Sequence, residues 1–300
     1  MSIGSALGAG LALLALSGGS SSVRPFPVVH GGGSDEGPVA ENGWFAWMNS
    51  PTANLIPPIS HTVVYVRHRN GSKWRANPPG TFAETGGISG HTLVIQLIDQ
   101  GSELASVDLG TRALHLLPAP FNEQHRFEWR PSLSGPWLLY GSIDYAAQRY
   151  SIVLANLRTG SVRTLDEAHG HAAYAAPGQV NGRYATWITC PDNHCRAYRY
   201  DIATKTTVIM PPIGGVRYWH FGPSVAADGT VYFGVAFGCA NVRLVRWRDG
   251  RVTTIYQFPP GEAFQYSYVT DSRPRTIYYD EVACKISALS NIDAIRDPGA

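Results

Sequence analysis

Four of the ten histidines in this 300-residue chain fall in three short segments rich in other reactive side chains. His125 lies beside Arg126, Glu128, Trp129 and Arg130; His169 and His171 share the second segment; His220 follows Arg217 and Tyr218, while a fourth segment holds Gln265 and Tyr266. Imidazole ligates metals and acts as a base near neutral pH, and guanidinium grips a carboxylate or phosphate in two-pronged fashion. Two chemistries follow. The whole set can form a binding surface in which Trp129 and Tyr218 supply flat contact area. Alternatively, His125, His171 and His220 hold a metal for a lyase or hydrolase, which requires three imidazole nitrogens to meet one ion at about 2.0 to 2.1 Å. Individually, such residues also stitch neighbouring strands together by hydrogen bonds and packing.

Familiar catalytic signatures are missing. GISGH at 87–91 lacks the last glycine of a Gly-x-Ser-x-Gly elbow. No His-Glu-x-x-His, Walker or EF-hand pattern occurs, and SDEG at 34–37 lacks the alternating oxygen ligands of a calcium loop and reads as a solvated linker. We therefore expect a noncatalytic role with no cofactor and no resident metal. A net charge of +2 with 15% charged residues provides no global field for nucleic acid or an anionic membrane.

The first residues carry an apolar run from Ala6 to Leu16, with Ala15 and Ser17 suitably small for a cut after Ser17. Eleven apolar residues are too few for a membrane span, so 1–22 reads as a signal peptide, although no Lys or Arg precedes the run. Residues 23–38 read as a flexible lead-in. Four cysteines fit export to a secreted or periplasmic location: Cys190 and Cys195 enclose the turn-forming PDNH, and Cys239 with Cys284 is the preferred second pair among the three pairings that four cysteines permit. The rival use of Cys190, His194 and Cys195 as zinc ligands lacks a second close pair.

The elements that must position the reactive segments come from a repeat. Apolar runs WFAWM, LVIQL, WLLYG, YATWI, VYFGV and TIYYD begin at 44, 93, 137, 184, 231 and 276, separated by 49, 44, 47, 47 and 45 residues. A polar turn precedes each. A second hairpin follows most of them, turning at Asn70-Gly71, Gly110-Thr111, Thr159-Gly160, Thr204-Lys205 and Asp249-Gly250, where positive φ is tolerated. Prolines at 78–79, 118, 120, 211–212 and 259–260 end edge strands. An aromatic recurs at Phe82, Phe127, Tyr174, Trp219 and Phe264 as a wedge between units. Four short antiparallel strands repeated six times make an all-β, six-bladed β-propeller over residues 39–297. The sixth unit lacks an outer strand after Ser290, and residues 23–30 are expected to supply it.

Two repeats, PSVAADGTVYFGVAFGCANVRLVRWRDGRVTTI and RPSLSGPWLLYGSIDYAAQRYSIVLANLRTGSVRTL, resemble the TolB-like repeat in layout. The likeness extends over residues 35–297. The Ser-Pro-Asp-Gly turn of that family survives only as Ala-Asp-Gly at 227–229, and no separate N-terminal α/β domain precedes the propeller, so docking of a peptidoglycan-associated lipoprotein is not carried over. The resemblance implies an exported binding scaffold. Its ligand, a protein or an extracellular carbohydrate, is expected at the channel mouth where the crossovers between blades converge. A monomer is expected, without nucleic acid and without a membrane span.

Overall fold

The computed structural model describes residues 23–51, 62–69, 71–98, 101–171, 173–191, 195–211, 222–236, 241–272, 274–283, 290–297 and 299. Every described regular element is a strand. The first sheet runs β2 (Ser34–Glu41), β3 (Trp44–Ser50), β4 (Val63–His68), β5 (Trp74–Arg75). Next come β6 (Phe82–Ser89), β7 (Thr92–Ile98), β8 (Ser102–Asp108) and β9 (Leu114–Leu116), then β10 (Phe127–Ser134), β11 (Trp137–Asp144), β12 (Arg149–Asn156) and β13 (Ser161–His169). Two further sheets follow: β14 (Tyr174–Asn181), β15 (Tyr184–Cys190), β16 (Arg196–Asp201), β17 (Thr206–Ile209), and β18 (Ser224–Val225), β19 (Val231–Ala236), β20 (Val242–Arg248), β21 (Arg251–Gln257). The last comprises β22 (Glu262–Val269), β23 (Arg275–Ala283), β24 (Asn291–Asp297) and the chain's first strand, β1 (Phe26–Val29), which pairs antiparallel with β24.

Each apolar run of the repeat is the second strand of its unit. Strands buried on both faces read as continuous apolar runs, because each sheet packs against a neighbour on either side. Accordingly the cores lie between sheets. Ala46 and Val64 meet Ile88 and Leu93; Val94 and Leu104 meet Leu133 and Leu138; Ile188 meets Val231; Tyr232 meets Tyr279; Phe45 and Trp47 meet Ile292. The first strands touch in the order β2, β6, β10, β14, β18, β22, and β22 returns to β2, which makes the arrangement a closed β-propeller of antiparallel four-stranded sheets.

Three expectations need correction. Instead of six separate sheets, four are four-stranded and one is eight-stranded, because β10 and β8 share a parallel bridge at Phe127 and Ser102. The Ser102 hydroxyl donates to the Glu128 carbonyl at this junction, and the short β9 leaves that end of β8 open to β10. Residues 34–38 are not lead-in: β2 starts at Ser34, and Ser34 and Asp35 are buried. Nor is SDEG a solvated linker. Asp35 accepts hydrogen bonds from Trp47 Nε1 at 3.1 Å and Asn49 Nδ2 at 2.9 Å.

The innermost strands share a feature that apolar patterning does not reveal. Register breaks after Glu36, Thr85, Trp129, Pro177 and Phe264, so residues 37–38, 86–87, 130–131, 178–179 and 265–266 bulge at matching heights. These bulges meet around the axis at close quarters. A Cβ on Gly178 would collide with the Pro223 carbonyl, and one on Gly87 with the Leu133 backbone nitrogen, so only glycine fits. The Cys190–Cys195 disulfide closes the connection between β15 and β16. Cys239 and Cys284, like residues 1–22 and Trp219, lie outside the described residues.

Candidate functional site

The innermost strands all start at the crossover end of the channel and finish in tight turns at the other, so the two ends carry different chemistry. Of the reactive segments singled out in the sequence, those at 125–130 and 169–171 belong to the crossover end, and most of their side chains are engaged there.

Glu128 is 1% exposed. Its carboxyl accepts backbone N–H from Glu123, yet Oε2 has no partner. Burial pushes this carboxyl up to about 7; repulsion from Glu123 adds to the shift, and Arg126 opposes it. Trp129 packs edge-on to Tyr174, with centroids 5.5 Å apart, and its indole lies over Gly141, where any Cβ would clash with the ring. The Arg130 guanidinium sits 5.0 Å above the Trp129 ring, and its backbone N–H donates to Gln96 Oε1 at 3.1 Å. Arg130 and Glu84 line a small axial cavity of about 70 Å³ at the bulges. Burial raises the carboxyls of Glu84 and Glu36, and the Arg130 charge opposes both shifts.

The histidines do not gather. His125 is exposed in the left-handed region (φ 70) and, with Arg126, borders a recess of about 610 Å³ floored by Leu97, Leu114 and Leu116. Arg126 is paired with Glu123 at 3.0 Å. His169 ends the outermost strand β13 beside Glu167 at 3.5 Å, three strand spacings, about 14 Å, from the innermost strand. His171 contacts Gln148 Nε2 at 2.6 Å, in the turn between β11 and β12. Among the described residues no three His, Cys, Asp or Glu side chains are placed to share a metal ion. Arg217, Tyr218 and His220 lie outside the described residues, as do the side chains of Gln265 and Tyr266.

The turn end is open. A groove of about 700 Å³ starts at the channel mouth, at Ser134 and Asn181, and passes between the first and last sheets to Val28 on the outermost strand β1. Its inner end carries two carboxylates. Glu41 is raised by burial and by Asp271, against a hydrogen bond from the Gly90 backbone. Asp271 accepts from Asn181 Nδ2 at 2.8 Å and Ala227 N at 2.9 Å. Arg67 and Arg69 also line the groove. Arg67 stacks 5.2 Å over Phe45, donates from Nη2 to the Val28 carbonyl at 3.2 Å, and lowers the Tyr278 phenol against the dominant effect of burial. The negative end thus lies by the axis, and Arg67 marks a positive end towards the rim.

Solved structures share this architecture. A protein of Agrobacterium tumefaciens described as a TolB superposes with a TM-score of 0.57 at 12% identity, over 87% of this chain and 90% of that one. What these structures share with this chain is the β-propeller fold. The propeller domain of the Trilobed protease from Pyrococcus furiosus, with its open velcro topology, gives a TM-score of 0.53 at 12% identity, covering 88% and 95% of the two chains. The acylaminoacyl peptidase of Pyrococcus horikoshii gives 0.52 at 13% identity; the match covers 89% of this chain and 52% of the peptidase. No family model matches, and no curated protein matches. No helix of the described residues is long and apolar enough to cross a membrane.

Proposed function

We propose that this chain is a six-bladed TolB-like propeller, exported to the periplasm or beyond, that acts as a noncatalytic binding scaffold for a protein or an extracellular carbohydrate. In this reading the eight-stranded sheet counts as two blades, β6–β9 and β10–β13, joined by one bridge, and β1 completes the sixth blade. The Cys190–Cys195 bond and the apolar run at 6–16 support export.

The observation that carries the binding role is the groove at the turn end. Its volume lies in the range of ligand sites, and rigid strands hold its polar groups. The crossover residues Trp129, Arg130 and Glu128 serve the seams between blades, while His125 and Arg126 are left at a secondary recess.

The test is capture on the immobilised full chain from a concentrated exported-protein fraction and on a glycan array. Wild type is compared with a Glu41→Arg, Asp271→Arg variant whose melting curve is checked first. Loss of the captured ligand in the variant supports the reading. Equal capture by both, or no capture from either source, overturns it.

A further inference from the structure

The groove is not evenly charged. At its axial end Glu41 and Asp271 are close enough to repel, and both add to the effect of burial in raising the Tyr268 phenol on the innermost strand. Further out, Arg67 is fixed over Phe45 and bound to the Val28 carbonyl, and it acts on Tyr278, one strand away from Tyr268. Because the lining runs from β22 to β1, the groove crosses a whole sheet of four strands, three spacings or about 14 Å. An extended chain covers that length with about four residues. A cation arriving beside Glu41 would relieve its repulsion with Asp271, whereas an anion there would increase it. Arg67 imposes the opposite preference at the other end, because guanidinium is a fixed cation with planar donors that suit a carboxylate, and Arg69, whose side chain lies against Gly43, carries positive charge along the same wall. Neutral sugars can hydrogen-bond to both ends but complement the charge of neither, and a polyanion suits only one.

We propose that the groove takes an extended peptide segment of about four residues, with a basic side chain over Glu41 and Asp271 and an acidic side chain against Arg67 and Arg69. This rests on the scaffold reading and narrows its partner to a polypeptide. Asn42, whose amide donates to Glu41 at 3.3 Å, and Ser272, whose hydroxyl donates to the Pro274 carbonyl at 3.1 Å, line the groove wall on connections between strands.

Isothermal titration of the full chain with three end-blocked peptides tests it: Lys-Ala-Ala-Glu, Gln-Ala-Ala-Glu and Lys-Ala-Ala-Gln. The doubly charged peptide is expected to bind tightest. Glu41→Gln should weaken Lys-Ala-Ala-Glu by about 5-fold while leaving Gln-Ala-Ala-Glu unchanged, and Arg69→Gln should show the converse with Lys-Ala-Ala-Gln as the insensitive peptide. Equal affinities for the three peptides, absence of coupling in both variants, or no binding of any peptide overturns the proposal. If either variant fails to fold, the salt dependence on wild type replaces it: added salt must weaken the doubly charged peptide more than the others, and equal weakening counts against the proposal. Capture of a glycan or folded protein by a chain that ignores all three peptides would sink this inference and leave the scaffold standing; capture of nothing would sink both.

Discussion

The two ends of the channel are built from the same repeated strands, yet they differ in what their polar groups face. At the crossover end, charged and aromatic side chains are turned into the seams: Trp129 onto Tyr174, Arg130 onto Trp129, Glu128 into a site where one carboxylate oxygen finds no partner. At the turn end, Glu41, Asp271, Arg67 and Arg69 border an open groove. The contrast teaches that reactive residue types concentrated in one segment, such as Glu128, Trp129 and Arg130, can be engaged in packing between blades. Residues near the start of an innermost strand approach the next blade closely and are consumed by packing, while those beside the turns diverge towards solvent.

If that contrast holds, substitutions should grade in effect from the waist outward. Gly178→Val forces side-chain atoms into the Pro223 carbonyl of the neighbouring blade and should cost about 4 kcal/mol or more, read by urea denaturation; a loss below about 1 kcal/mol would mean that the waist can spread. Asp297 is next. It is 1% exposed and accepts from Arg246 at 2.8 Å and from Tyr232 at 2.8 Å, joining β19 and β20 to the final strand. Asp297→Asn leaves the part-buried Arg246 guanidinium without its carboxylate and should cost about 3 kcal/mol.

Trp129→Ala should cost about 3 kcal/mol through its contacts with Tyr174 and Gly141 and leave ligand capture at the groove unaltered. A variant that keeps its stability but loses the ligand would reverse the roles of the two ends. Glu128 gives a pH signature. Its carboxyl is raised from 4.5 to about 7 in the folded state, so the native chain holds the proton more tightly than the unfolded one. Its contribution is therefore most favourable below about 4.5, declines as pH rises, and levels off above about 7. Glu128→Gln should remove that decline and stabilise the protein at pH 8 by about 1 to 2 kcal/mol, while the two proteins match at pH 4. Melting curves across this range decide it. The smallest effect belongs to the groove: Arg69→Gln, on an exposed residue, should shift stability by less than about 0.5 kcal/mol.

Much of the fold was legible because burial on both faces forces a continuous apolar run into every second strand, and those runs recur with the period of the unit. The turns were legible for a local reason as well: Gly160, Lys205, Asp249 and Gly250 adopt the positive φ that a tight hairpin demands. The merged sheet was not, since a single bridge between Phe127 and Ser102 leaves no periodic trace. Glu84 was missed although Asp35, Glu84 and Glu128 are spaced by 49 and 44, the intervals of the first three apolar runs. Those carboxylates occupy one repeated position facing the seams and the axis, and the spacing alone could have revealed them.

Sequence by itself determined the strand order, the repeat length and the sealing strand near the start of the chain, because turn chemistry and side-chain alternation are local and additive. Only tertiary structure decided which polar groups are buried and which remain available. Glu41 and Asp271 are 230 positions apart, and they repel only because the last blade has closed onto the first.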